Sequence, residues 1–162
     1  MILSEVVRAS VADCCETGLS REMRVGKANQ VDYFSGRSPL IGNIRVELER
    51  RREDPVNNVV KAWRQAAENP SEPPFILVHV FSGFYLSRKA KFENARFVGQ
   101  MMNSWADASG RGITYLAVLI DFEPPMGDAD PVVVEAVAQT IRGQIRRQLE
   151  GRIQKVTVTT GT

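Results

Sequence analysis

Two apolar runs constrain this chain more than any other feature. FILVHVF (75–81) and ITYLAVLIDF (113–122) are apolar almost throughout, and a segment of helical period lies between them. A strand apolar on both sides needs cover on both faces, and successive strands joined by a helix pair in parallel. The intervening helix, over residues 91–107, puts Phe92, Ala95, Val98, Met102 and Trp105 on one stripe.

Upstream, IRVELE (44–49) alternates cleanly, with Ile44, Val46 and Leu48 on one face and Arg45, Glu47 and Glu49 on the other. DPVNNVVKAWRQAAEN (54–69) follows with strong helix-entry grammar. Asp54 is the expected N-cap, Pro55 the first helical residue, and Val56, Val59, Val60 and Trp63 the buried stripe. NPSEPP (69–74) ends that helix. DPVVVEAVAQTIRGQIRRQLEGR (130–152) is entered the same way and predicts another long helix. Residues 3–17 fit a first helix, with Ser4 as its cap and Val7, Val11 and Cys14 or Cys15 at helical spacing. Residues 18–29 read as loop, QVDYF (30–34) as a short strand, SGRSPLIGN (35–43) as a connection and KVTVTT (155–160) as an edge strand. The expected order is α β β α β α β α with a closing β. It predicts an α/β fold, a three-layer domain around a mixed central sheet, with residues 1–162 as one domain.

The bulk numbers exclude more than they assign. The chain is 43% hydrophobic and 25% charged, ordinary values for a globular protein, and its net charge is only +2. Five of the 21 basic residues are Lys and 16 are Arg. That bias favours an anionic partner, because guanidinium binds phosphate bidentately, and a GC-rich genome explains it equally well. Cys14 and Cys15 are adjacent, which suits neither a disulfide framework nor a CxxC metal site. No signal-peptide pattern opens the chain and no apolar run approaches the ~20 residues of a membrane span. The expected setting is cytoplasmic, with no membrane partner.

There is no P-loop, GxGxxG, GxSxG or HExxH. The only histidine, His79, lies in the buried strand 75–81, where a hydrogen-bonded core role is the commoner one. An acidic set remains: Asp32 on the first strand, then Glu47 and Glu49 on the second. Were those strands to pair, three carboxylates would converge at one end of the sheet. Clustered carboxylates raise one another's pKa values unless a cation lies among them. Mg²⁺ takes such oxygen ligands at about 2.0–2.1 Å, usually one or two carboxylates with waters and substrate phosphate. The alternative is that Glu47 and Glu49 form the solvated face of an edge strand.

A helix, strands bearing Asp…Glu-x-Glu, a helix and a buried strand together resemble the PD-(D/E)XK nuclease superfamily, the restriction-endonuclease-like fold, over residues 3–122. In that family the Asp and the first Glu ligate Mg²⁺, and a Lys two residues on orients or activates the attacking water. The resemblance implies that Asp32 and Glu47 are metal ligands and that Glu49 stands in the Lys position. Val31 stands where the family often has Pro. Some members use Glu at the Lys position, and others supply the Lys from the following helix, which makes Lys61 the migrated candidate. The same departures would mark an inactivated member.

Cationic residues extend the picture. Arg50, Arg51 and Arg52 directly follow the carboxylates, and FSGFYLSRKAK (81–91) leaves a buried strand into Arg88 and Lys89. Loops at strand carboxyl ends commonly bind ligands, and phosphate contacts supply sequence-independent affinity. Arg142, Arg146, Arg147 and Arg152 form a second basic group on the last helix, with a solvated helix face as the plainer reading. The expected function is a Mg²⁺-dependent DNA endonuclease, and a homodimer is compatible with it. The alternatives are a catalytically inactive nuclease-like module that binds nucleic acid or protein, and an α/β small-molecule-binding protein.

Overall fold

A computed structural model describes residues 3–16, 18, 20–21, 24–25, 29–30, 34–38, 42–123 and 131–160. The elements run α1 (Leu3–Cys15), β1 (Ser20–Arg21), β2 (Arg24–Val25), β3 (Asn29–Gln30), β4 (Phe34–Ser38), β5 (Gly42–Glu49) and α2 (Val56–Glu68). Then come β6 (Phe75–Phe81), a 3₁₀ turn (Gly83–Leu86), α3 (Lys89–Ala108), β7 (Ile113–Leu119) and α4 (Pro131–Thr160). The main sheet has the order β1-β4-β5-β6-β7, and β2 and β3 form a separate ribbon. β4 and β5 are an antiparallel hairpin, while β5, β6 and β7 are parallel. The sheet is therefore mixed, as the sequence predicts.

β6 is buried at every residue because strands flank it and helices cover both its faces. On one face Ile44, Val46, Val78, Val80 and Val118 meet Val7 and Val11 of α1 and Ile141, Ile145 and Leu149 of α4. On the other, Phe75, Leu77, Phe81 and Tyr115 meet Val59 and Ala66 of α2 and Ala95 and Met102 of α3. Both parallel crossovers thus put their helices on one face, as connections of one hand require. Among the described residues no helix is long and apolar enough to cross a membrane.

Several local expectations are corrected. Of the strand expected at 30–34, residues 31–33 lie outside the described residues; Gln30 belongs to β3 and Phe34 opens β4, which runs on to Ser38, so SGRSPLIGN contributes to both strands of the hairpin. The backbone of β5 needs a partner on that side, and Gly42, at φ 79°, supplies a conformation that other residues rarely adopt. Among the described residues of 18–29, read as loop, are the two-residue strands β1 and β2 and the first residue of β3. Ser4 is buried inside α1 and does not cap it. Pro55, already in helical conformation, takes the position before α2 that was assigned to Asp54, with no side-chain cap. Val60 is 44% exposed, and Asn58 takes a buried place on α2.

The largest correction is at residues 155–160, which continue α4 as helix. Valine and threonine favour strands, but extending an existing helix adds a hydrogen bond for each residue fixed. The outer edge of the sheet is, moreover, already covered. Asn103 exchanges bonds with the Tyr115 N–H and C=O, and Gln148 does the same for Leu119. Gln144 accepts from the Asp121 N–H, and Arg152 donates to the Ala117 C=O. Side chains thus take bonds that another strand would make.

Gly99 on α3 faces Tyr115 so closely that a Cβ there would come within 2.1 Å of a ring carbon. Helix propensity alone would make Gly99→Ala stabilising by about 1 kcal/mol. We expect the reverse, a lower melting temperature, because the Tyr115 ring would be displaced. Leu77, only 2% exposed, should lose about 2–5 kcal/mol on truncation to Ala, measured by urea unfolding.

Candidate functional site

Glu47 and Glu49 project from the same side of β5, as alternation demands, but that side is not solvated. The strand lies between β4 and β6, and α2 covers the face, leaving the two residues 6% and 3% exposed. The edge-strand reading is therefore excluded. Arg45, next on this face, pairs with Glu72 and stacks on the Phe75 ring at 3.8 Å.

Buried carboxylates are costly without donors or cations facing them. Asn58, in the first turn of α2, donates through Nδ2 to Glu49 Oε1 at 2.6 Å and to Glu47 Oε2 at 3.4 Å. One amide thus bridges both acids. His79 reaches diagonally from β6, whose register pairs it with Glu47 and pairs Phe81 with Glu49. Its Nε2 lies 3.0 Å from Glu49 Oε1, and its Nδ1 lies 3.0 Å from the Tyr115 hydroxyl. Burial lowers the His79 pKa, partly offset by the Glu49 hydrogen bond and charge. The imidazole is consequently neutral at pH 7. Burial likewise raises the Tyr115 pKa, so its phenol keeps its proton.

The predicted cationic residues gather at the same end. Glu49 closes β5, and Arg50, Arg51 and Arg52 follow it, all exposed. Ser82 Oγ donates to the Arg50 carbonyl, Tyr85 Oη to the Arg52 carbonyl at 2.9 Å, and Lys91 Nζ to the Glu53 carbonyl at 2.8 Å. These bonds tie the arginine loop to the turn and helix start that carry Arg88 and Lys89, both exposed. Arg88 lies over the Phe84 ring at 5.5 Å, and Arg51 pairs with Glu123 at 2.8 Å. Gly83 fits because the backbone of Phe122 approaches too closely for a Cβ, at 2.8 Å. Lys61 is exposed on α2, one turn beyond Asn58. The C-terminal group behaves differently: Arg142 and Arg146 pair with Glu135 and Glu150, and Arg152 bonds the open edge of β7 at Ala117.

Asp32 lies outside the described residues. Among those described, no group of three or more His, Cys, Asp or Glu is arranged to hold a metal. Glu47 and Glu49 supply hard carboxylate oxygens of the type Mg²⁺ takes, which fits the ion as a partial donor set. Sequence reasoning missed Asn58 and the links through His79 and Tyr115. A polar residue beside Val59 on the buried stripe was the available signal for Asn58. The chain matches no protein-family model, no curated protein and no solved structure.

The pH behaviour follows from His79. Its folded pKa is below the unfolded value near 6.5, so the unfolded chain binds the proton more readily. Stability contributed by the neutral ring is present above about 6.5 and lost as pH falls through it. The melting temperature should drop between pH 7.5 and 5.5, and the drop should be smaller in His79→Gln.

Proposed function

We propose that this protein is a Mg²⁺-dependent endonuclease of the restriction-endonuclease-like kind, hydrolysing phosphodiester bonds of DNA. The observation that carries this reading is the pair of buried carboxylates, Glu47 and Glu49, beside an exposed arginine loop. Both lie toward the carboxyl end of parallel strands, where α/β folds commonly bind ligands.

In this reading Asp32 and Glu47 hold the ion. When bound, Mg²⁺ supplies charge neutralisation at the phosphate and makes water a better nucleophile. The chain's own residues do the positioning. Glu49 is held by Asn58 and His79 and, with Lys61, orients the attacking water. Arg50, Arg51, Arg52, Arg88 and Lys89 hold the DNA backbone, which fixes register without reading bases. Phosphodiester hydrolysis gains chiefly from such positioning and from charge stabilisation.

The second reading, an inactive nuclease-like module that binds nucleic acid or protein, draws on Glu49 standing in the family's Lys position. A Mg²⁺ titration followed by melting and plasmid nicking separates the two. An ion at 100 times its Kd stabilises the folded state by about 2.7 kcal/mol. We expect such a rise in the wild type, its loss in Asp32→Ala and Glu47→Ala with the fold retained, and no nicking in either. Arg50→Ala should weaken DNA binding and lower its salt slope by about one, leaving the metal response intact. DNA binding with no metal response would select the inactive module.

A further inference from the structure

His79 is completely buried in the middle of an apolar strand, yet both its ring nitrogens are hydrogen-bonded. The direction of these bonds follows from the partners. Glu49 Oε1 already accepts from the Asn58 amide, and as an acceptor it takes the ring hydrogen from Nε2. Nδ1 is then a lone pair and accepts from the Tyr115 hydroxyl. The other tautomer would oppose the Nε2 lone pair to carboxylate lone pairs and leave the phenol with no acceptor on the ring.

Each member is held by a different element. Tyr115 comes from β7, its ring admitted by Gly99 and its backbone clasped by Asn103. His79 comes from β6, wedged against Phe81 with ring centroids 4.2 Å apart. Asn58 comes from α2 and also donates to Oε1. Packing alone does not call for this arrangement, since an aliphatic side chain at 79 would fill a strand core without burying polar atoms. What the arrangement does achieve is orientation: both bonds fall on Oε1, and Oε2 is the oxygen of Glu49 that neither engages.

We propose that His79, held as the Nε2–H tautomer by Tyr115, is the positioning residue that sets the orientation of the Glu49 carboxylate and directs Oε2 to the reacting water. The relay Tyr115–His79–Glu49 rests on the nuclease reading for its use, but its geometry can be tested apart from it. Outer-shell partners of metal ligands typically carry 10- to 100-fold in activity or metal affinity, and we expect a comparable loss for the partner of Glu49, two residues from the ligand Glu47.

The test combines ¹⁵N NMR of the histidine ring with kinetics of Mg²⁺-dependent plasmid nicking. In metal-free wild type at pH 7.5, Nε2 should be protonated and Nδ1 should not. Both Tyr115→Phe and Glu49→Gln should shift these signals. In nicking assays, His79→Leu should lower kcat about 10- to 100-fold with KM for DNA little changed. His79→Gln, whose amide can still donate to Glu49, should recover most of that loss. Should His79→Leu not fold, Tyr115→Phe carries the same kinetic comparison. A proton on Nδ1 in the wild type would overturn the proposal, as would wild-type kcat in a folded His79→Leu. If the wild type neither responds to Mg²⁺ nor nicks DNA, the nuclease reading falls and the NMR alone decides the relay. Ring signals unmoved by Glu49→Gln and Tyr115→Phe would then overturn it.

Discussion

The hydrogen bond between His79 Nε2 and Glu49 Oε1 is the contact on which the rest of the arrangement turns. A carboxylate at the end of a covered central strand is expensive unless donors meet it inside the protein. His79 meets it only because β5 and β6 run parallel in a register that sets Glu47, not Glu49, opposite the ring. Asn58 meets it only because α2 returns over that same face. Strand register, helix placement and the state of the site acids are therefore one problem with one solution.

Charge is then sorted by depth. The acids lie beneath α2, while Arg50, Arg51, Arg52, Arg88 and Lys89 remain exposed at the strand ends. The arginine loop is tethered through its main-chain carbonyls to Ser82, Tyr85 and Lys91, which orders its backbone. On the opposite side of the sheet from β4, the arginines of α4 do structural work. Arg152 joins Gln144, Gln148 and Asn103 in covering the β7 edge, which would otherwise offer a template for another chain. Two basic groups of similar composition thus sit in different surroundings, one exposed at the strand ends and one packed along a sheet edge.

Much of the fold was legible. The covered strand FILVHVF, the amphipathic α3 and the Glu47/Glu49 alternation follow from periodicities of 2 and 3.6, which depend on local geometry alone. The failures have specific causes. KVTVTT reads as strand by propensity, but it extends an established helix past a sheet edge that side chains already occupy. SGRSPLIGN reads as connection because Gly and Ser are poor strand formers, yet a hairpin partner imposes pairing on the backbone regardless of side chain. Of the expected site residues, Asp32 lies outside the described residues, while Glu47 and Glu49 share a buried face.

By itself the sequence determined that parallel strands would be covered by helices, that two carboxylates would point one way from β5, and that arginines would follow them. Each of these is a property of neighbours along the chain. Only the tertiary structure decided that the acids are buried, that Asn58 bridges them, and that the lone histidine is wired to one of them and to Tyr115. Those contacts join residues 9 to 36 positions apart across α2, β5, β6 and β7. Hydrogen bonds need partners within about 3 Å, and no local periodicity carries the register that brings such distant groups so close.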